Sequence, residues 1–301
     1  MRFVSGHLIT SLSAILIFGP LKLISSQPAV LSPVASSSGH FANEREKLLP
    51  LFVGTFKVIG CQPDSGKPYD GSVVVIRKGL ELFVQESING RTRTGTGSIM
   101  FEPETPTLEV KFSDSGILVG YELGSSGDTR QPRAGGWVDS RGNNRVDRKR
   151  LGMEVWYNHQ PAPSPAFEQT KLQRASLSPI PADLLGFYQG DYRVIGEETG
   201  AGRLYTGRIQ AKREGERLTI EGWVDGQHSK GEFVSERLSA KHPVILIKCR
   251  IGHQSLLSLV NVQTVGDNYP RICGYFYPVG DTGVIITTAR PRLETWFFDW
   301  R

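Results

Sequence analysis

The stretch Gly54-Thr-Phe-Lys-Val-Ile-Gly60 returns 136 positions later as Gly190-Asp-Tyr-Arg-Val-Ile-Gly196. Without any gap, the same offset aligns 12 identical residues over positions 54–97, and seven of them are glycine. Glycine adopts the positive φ angles that tight turns need, so a repeat made largely of glycines indicates a duplicated set of turns. The chain therefore contains two copies of one structural unit.

Length and composition agree with two small β-rich domains. The chain has 301 residues, which suits two domains, and each copy is long enough to bury a core of its own. Its 34 glycines and 18 prolines separate short apolar runs, as in turn-rich all-β proteins. Neither residue is abundant enough for collagen or for a disordered chain.

Turn residues divide each copy into about eight strands. Asn89-Gly90 is a hairpin-turn pair, and its counterpart Asp225-Gly226 suits the same turn. One strand face is apolar, as in Leu82, Val84 and Ile88. Eight short antiparallel strands form either a sandwich or a closed barrel, and we favour the barrel because it leaves no exposed strand edge. The prediction is an all-β chain of two tandem antiparallel up-and-down barrels with about eight strands each.

The predicted boundaries follow the repeat and the prolines. The linker holds five prolines between Pro161 and Pro181 and is expected to be a semi-extended spacer. The last strand of the second barrel is expected at Gly283–Ala289, and the tail Trp296-Phe-Phe-Asp-Trp300 is expected to dock on a barrel. In order, the assignments are 1–36 signal peptide and leader, 48–159 first barrel, 160–182 Pro-rich linker, 183–291 second barrel and 292–301 aromatic tail.

The N-terminal segment has the features of an export signal. Arg2 gives a positive start, residues 8–18 form an apolar run, and Pro20 ends it. Such a run is too short to span a bilayer of about 30 Å. Small residues around Ala35 suit cleavage. We expect export to the periplasm, the cell surface or the medium, with no transmembrane span in the mature chain.

The charge of the chain is weakly basic. The formal net charge is +5, and loss of Arg2 and Lys22 with the signal peptide leaves +3. This excess permits attraction to anionic surfaces but does not require a nucleic-acid partner, and none is expected. The most basic stretch, Arg141–Arg150, contains no aromatic residue between its charges. A solvated hairpin tip is favoured there over a site for a polyanion.

Both copies open with glycine, any residue and an aromatic, in Gly54-Thr-Phe56 and Gly190-Asp-Tyr192. A Val-x-Gly, a Tyr-x-Gly and glycine turns follow in each copy. This order resembles the small lipocalin-like or avidin-like barrel repeats of exported bacterial proteins, over residues 51–157 and 185–290. Such repeats often carry Trp on the third strand, which Trp223 matches. The resemblance implies small β-barrels, and biotin or lipid binding is not carried over.

Seven aromatic or arginine residues are candidates for a ligand site. Binding cavities combine apolar walls with a few polar groups, which these side chains could supply. Each also has a structural explanation, since the aromatics could fill the barrel cores and the shared arginines could bond carbonyls at a barrel end. The candidates are Tyr69, Arg77, Trp137, Tyr192, Tyr205, Arg213 and Trp223.

No pattern in the sequence predicts a metal or a cofactor. The six histidines form no HExxH pair, and the three cysteines fit no zinc spacing. Cys249 and Cys273 could form a disulfide after export, although a strand is expected to lie between theirs. Cys61 would then be a lone thiol. We therefore expect no metal and no cofactor.

Three functions remain open at this point. The favoured hypothesis is an exported, non-catalytic binding protein whose two barrels bind a small molecule, a glycan or an envelope component, including an envelope protein. The first alternative is a protein–protein interaction or inhibitor module that uses its loops. The second is an enzyme with acid and base residues on loops, such as Glu197 and Glu198. A cavity above about 300 Å³ with converging polar groups would favour ligand binding.

Overall fold

The computed structural model of the chain describes residues 38–101, 106–113, 118–123, 132–139, 151–158, 177–236, 244–262 and 270–299. The predicted signal peptide, the basic stretch 141–150 and most of the predicted linker lie outside the described residues. No described helix is both long enough and apolar enough to cross a bilayer.

The first copy of the repeat is a closed antiparallel barrel. Each strand pairs with the next one along the chain, and the first pairs with the eighth to close the ring. Alternate residues point inward, so that Val73, Val75, Leu82 and Val84 form part of the core. The strands are β1 (Gly54–Cys61), β2 (Pro68–Lys78), β3 (Glu81–Ile88), β4 (Arg91–Phe101), β5 (Pro106–Phe112), β6 (Leu118–Leu123), β7 (Pro132–Asp139) and β8 (Gly152–Asn158).

The second copy also forms a ring of eight antiparallel strands. A short strand, β9 (Leu177–Pro179), lies outside the ring and pairs with the end of β13. The pairing of β12 with β13 and of β10 with β17 completes the ring. The strands are β10 (Gly190–Glu198), β11 (Arg203–Glu214), β12 (Arg217–Val224), β13 (Gln227–Glu236), β14 (Val244–Ile251), β15 (Gln254–Val262), β16 (Pro270–Pro278) and β17 (Arg292–Phe298).

The strand register confirms the repeat. Val75 lies opposite Gly54 in the first barrel, and Ala211 lies opposite Gly190 in the second, which is the same pair shifted by 136. The next two strand pairs keep this offset. Insertions in the second copy raise it to 140 at the last strand, where Asn158 and Phe298 hold equivalent positions. The prediction of two tandem antiparallel barrels is therefore confirmed.

A helix plugs one end of each barrel. The first helix, α1 (Ser38–Phe52), buries Leu49 and Phe52 in the first core, and α2 (Ala182–Tyr188) buries Leu185 and Tyr188 in the second. Each such side chain contributes about 1.5–3 kcal/mol of apolar burial. The sequence assigned no element to residues 37–47, whereas α1 begins at Ser38 and carries Leu49 and Phe52 into the barrel end.

The two barrels pack directly against each other. An apolar cluster joins outward side chains of both, among them Ile59 and Val155 of the first barrel and Ile195 of the second. Lys57 forms an ion pair with the buried Glu197 at the same interface. The expected spacer is therefore corrected: residues 177–182 of the predicted linker already form β9 and the start of α2, against the second barrel.

The terminal aromatic segment is a strand and not a tail. It forms β17, which lies between β10 and β16, whereas the expected strand at Gly283–Ala289 contributes only an isolated bridge at Ile285. Both faces of β17 are buried, which explains why this segment forms the last strand. Trp296 points into the core, and Phe297 points out to the interface between the barrels. The second barrel therefore extends past the predicted boundary at residue 291.

The cysteines form no disulfide. Cys61, Cys249 and Cys273 are all buried, and none of them is joined in a disulfide. Cys249 points into the core of the second barrel. Cys273 lies on β16 opposite Thr295, on the outward face, and β15 separates its strand from β14. The Cys249–Cys273 bridge that the sequence left open is not formed, because the two thiols face opposite sides of the sheet.

Candidate binding face

The first barrel buries a tyrosine, a glutamate and a tryptophan in one hydrogen-bonded group. The Tyr69 hydroxyl donates to Glu154 Oε2 at 2.6 Å, and Trp156 Nε1 donates to Glu154 Oε1 at 2.9 Å. A Cβ atom on Gly60 would overlap the Tyr69 ring. The repeated glycine and tyrosine are therefore explained by this packing, and Tyr69 lies in the barrel interior.

The second barrel contains the same group. Tyr205 donates to Glu294 Oε1 at 2.7 Å, and Trp296 Nε1 donates to Glu294 Oε2 at 2.9 Å. Gly196 leaves room for the Tyr205 ring. Burial raises the pKa of Glu294, and burial together with the charge of Glu294 raises the pKa of Tyr205 well above its ordinary value. The phenol therefore keeps its proton and acts as a structural donor.

The two barrels differ in the cations and carboxyl groups that lie near this glutamate. In the first barrel, Arg93 pairs with both Glu154 (3.2 Å) and Glu86. Glu86 is fully buried, and its Oε1 atom has no hydrogen-bond partner. Its pKa is raised well above the ordinary value, first by burial and then by the charge of Glu154. In the second barrel the cation near the glutamate is Arg292, on β17. These buried hydrogen bonds and charges connect different strands inside each barrel.

The shared arginines bond to turn carbonyls, as expected for residues that close a barrel end. Arg77 Nε donates to the carbonyl of Gly79 at 2.8 Å, and Arg213 Nε donates to that of Gly215 at 3.0 Å. Arg77 also pairs with Glu46 of α1 at 2.9 Å. Of the two explanations that the sequence left open for this cation, both copies show the bond to a turn carbonyl.

Two further candidates also have structural contacts. Tyr192 is buried and donates to the carbonyl of Tyr188 at 2.7 Å, which ties β10 to α2. Trp137 lies at the interface between the barrels, with its ring 5.1 Å from that of Phe297 and under the guanidinium of Arg193. Neither ring is on a free surface.

Trp223 is the exception among the seven candidates. It lies on the outer face of β12, and 61% of its surface is exposed. Its ring contacts that of His228 edge-on at 5.4 Å, and His228 Nε2 lies 3.3 Å from Glu221 Oε1. The expectation that the aromatics fill the cores is wrong for Trp223. An indole this exposed is available to a ligand.

Six cations lie on the same outer face of the second barrel as this tryptophan, and Arg208 is directly opposite it. All are exposed, and none forms an ion pair with any residue in the described ranges. Three glutamates, Glu214, Glu221 and Glu232, are distributed among them. We call this outer face of β11–β14 the basic face; its cations are Arg208, Lys212, Arg217, Lys230, Lys248 and Arg250.

A cleft of about 360 Å³ opens on the basic face. Arg217, Lys230, Lys248 and Arg250 line it together with Glu232. In the sheet, Arg250 lies opposite Lys230, and Lys248 lies opposite Glu232, so side chains of neighbouring strands converge on the cleft. Its volume is in the range of small-ligand sites, and four of its lining side chains are cations.

The first barrel shows what the same face looks like without these residues. At the positions of Trp223 and His228 it has Ser87 and Thr92, whose hydroxyls lie 3.1 Å apart. Lys111 is its counterpart to Lys248. At the other five positions it has no cation. In the order Arg208, Lys212, Arg217, Lys230 and Arg250, the counterparts are Ser72, Ile76, Glu81, Thr94 and Ser113.

Sequence reasoning found Trp223 but missed the six cations. They are scattered over residues 208–250, so no local run of charge marks them. The sequence signal that could have found them is the alignment of the two copies, in which neutral or acidic residues of the first copy are aligned with basic residues of the second. The basic stretch at 141–150, which is compact in sequence, lies outside the described residues.

Within the described ranges, no group of three or more His, Cys, Asp or Glu side chains could hold a metal ion. No protein-family model matches the chain, and no curated protein matches it. Among solved structures, the chain is similar to a protein of unknown function from the DUF3598 family of Nostoc punctiforme. The identity is 9%, the match covers 84% of this chain and 98% of that chain, and the TM-score is 0.20. At this level of likeness the comparison carries no argument about fold or function.

Proposed function

We propose that this chain is an exported, non-catalytic binding protein that binds its ligand on the basic face of the second barrel. One observation carries the proposal. An exposed Trp223–His228 pair occupies the positions where the first barrel has serine and threonine, and it shares its face with six cations that form no ion pair with any described residue. The duplicated scaffold alone does not need these residues, because the first barrel forms the same strands without them.

The residue types on the basic face support binding. A large exposed aromatic ring gains free energy when a ligand covers it, and tryptophan and arginine are enriched at the energetic centres of binding surfaces. Four of the six cations line the cleft on this face, and they need not give up an ion pair with any described residue when an anionic ligand arrives. Binding would therefore combine apolar contact at Trp223 with charge pairing at residues such as Lys230 and Arg250.

The exposure of the basic face to solvent supports binding more than catalysis. His228 and Glu221 are the titratable pair beside Trp223, and 47% and 58% of their side-chain surfaces are exposed. Water reaches both groups, whereas acid–base sites gain from exclusion of water. A protein–protein interaction remains the alternative that the same exposed surface supports, and it differs from the main proposal in the size of the bound partner.

Native mass spectrometry of the protein purified from its own cells tests both parts of the proposal. We expect the exported chain to have lost a segment ending near Ala35, and we expect a fraction of it to carry an additional bound mass. The double variant Trp223→Ser/His228→Thr, which uses the first barrel's own residues, should lose that mass. The matched control is Lys111→Ser on the first barrel, which should keep it. A bound mass that survives the double variant would place the ligand elsewhere and overturn the proposed site.

A further inference from the structure

We infer that the ligand class of the basic face is an acidic glycan, a polysaccharide whose sugars carry carboxylate or sulfate groups. The inference rests on the proposed binding function of this face and adds the chemistry of its ligand. It depends on three features of the face: the placement of the cations, the glutamates between them, and the single exposed ring.

The cations are spread across the sheet rather than clustered at one point. Arg208, Lys230 and Arg250 lie on β11, β13 and β14, and Lys230 is directly opposite Arg250. Neighbouring strands are about 4.8 Å apart, so positive groups recur at roughly 5–10 Å across the face. This arrangement fits a chain with repeated negative groups better than one compact anion. Arginine can hold a carboxylate or sulfate with two parallel hydrogen bonds.

The glutamates distinguish a glycan from a nucleic acid. Glu221 lies opposite Lys230, and Glu232 lies opposite Lys248, so two rows of the face place a carboxylate next to a cation. A DNA backbone carries a charge on every unit and has no hydroxyl group that could donate to these carboxylates. Sugar hydroxyls would instead donate hydrogen bonds to them. Nucleic-acid surfaces also stack successive bases on several rings, whereas the described part of this face exposes one large ring, Trp223.

The ring of Trp223 completes the site. Its exposed face offers apolar area to the C–H face of a sugar, and His228 contacts it edge-on and holds its orientation. Arg208 lies opposite Trp223 on the neighbouring strand, so a negative group on a stacked sugar would meet a cation at once. Insertion into a lipid surface would need several exposed apolar side chains, and Trp223 is the large apolar residue that this face exposes.

The test measures binding of the mature full-length chain to polygalacturonate, with its fully methyl-esterified, uncharged form as the matched probe. We expect binding to polygalacturonate that weakens as salt rises, and no binding to the ester. Trp223→Ser/His228→Thr should weaken binding about tenfold. Lys230→Thr/Arg250→Ser should weaken it at least as much and reduce its salt dependence. Lys111→Ser, on the first barrel, and Glu86→Gln, in its interior, should leave binding unchanged.

Several results would overturn the inference. Absence of binding to polygalacturonate, equal binding to the ester, or tighter binding to a single-stranded oligonucleotide would each exclude an acidic glycan. Unchanged binding in both double variants would place the contact on another surface. The two proposals fail separately: if the co-purified mass is lost in Trp223→Ser/His228→Thr but polygalacturonate does not bind, the face stands as a binding site and the glycan class is wrong.

Discussion

At the scale of single residues, the two barrels place different arginines beside an equivalent buried glutamate. Each barrel buries a glutamate, Glu154 or Glu294, that accepts bonds from a tyrosine and a tryptophan. An unpaired buried charge would be costly, so each barrel also supplies an arginine. Arg93 comes from β4, whereas Arg292 comes from β17. The first barrel alone adds a second carboxyl, Glu86, and this group should make its stability depend on pH.

The pH dependence has a definite sign. A glutamate in the unfolded chain titrates near pH 4.3, whereas burial and Glu154 raise the pKa of folded Glu86. The stabilisation that protonated Glu86 gives is complete below its pKa in the unfolded chain and is lost as pH rises through its pKa in the folded chain. A tenfold difference between the proton affinities of the folded and unfolded chains corresponds to about 1.4 kcal/mol. The free energy of unfolding of the wild type, relative to Glu86→Gln, should therefore fall as the pH rises above about 4.3 and through the folded pKa of Glu86.

Urea unfolding at a series of pH values measures this difference. The control is Glu81→Gln, an exposed glutamate on the same strand, whose difference from the wild type should not change with pH. A difference between the wild type and Glu86→Gln that stays constant over the range would show that Glu86 has an ordinary pKa. Tyr69 keeps its proton throughout, because burial and Glu154 raise its pKa well above the ordinary value.

At the scale of elements, the plug helices connect the repeat to the packing. Leu49 and Leu185 occupy the same position of the two copies, and both are fully buried against their barrels. The short apolar segment before each barrel was visible in the sequence, but the full extent of α1 was not. The side chains that it buries, Leu49 and Phe52, lie in its last turns, so no apolar stripe with helix periodicity runs along the segment, and the open barrel end gives these side chains their partner.

Truncation of the plug gives a test at this scale. Leu49→Ala should lower the free energy of unfolding by about 2–5 kcal/mol, because a fully buried leucine leaves a cavity at the barrel end. Glu46→Ala, one turn earlier on the same helix, removes an exposed pair with Arg77 and should cost less than about 1 kcal/mol. Equal effects of the two substitutions in chemical denaturation would mean that α1 does not pack into the barrel.

The limits of sequence reading are also clearest in the elements. Glycine turns and alternating strands predicted the barrels, because each is a local pattern that the duplication preserved. The last strand was misplaced since Gly283–Ala289 has strand-like composition, while the aromatic run at Trp296 has two buried faces and so lacks alternation. The basic face was missed for a different reason. Its cations come together only when β11, β12, β13 and β14 lie side by side.

At the scale of the whole molecule, the interface between the barrels decides whether they act as one body. Outward side chains of β1 and β8 pack on those of β10 and β17 in one apolar cluster. The Tyr157 hydroxyl bonds to Thr295 across the interface, and Arg193 of the second barrel donates to the carbonyl of Leu151 at 2.8 Å. Burial of these groups couples the two folds, and the cations of the basic face lie outside this cluster.

This coupling predicts a single cooperative unfolding transition. In calorimetry, the measured enthalpy of the full chain should equal the van't Hoff enthalpy. Val155→Lys places a charge in the apolar interface without entering either core, and it should split the transition into two. Val74→Lys, an outward valine of β2 outside that cluster, is the matched control and should keep one transition. Two transitions in the wild type would show independent barrels, and one transition in Val155→Lys would mean that other contacts suffice. A single transition in the wild type that splits in Val155→Lys would mean that a ligand on the second barrel also stabilises the first, because binding to one part of a cooperative unit raises the stability of the whole.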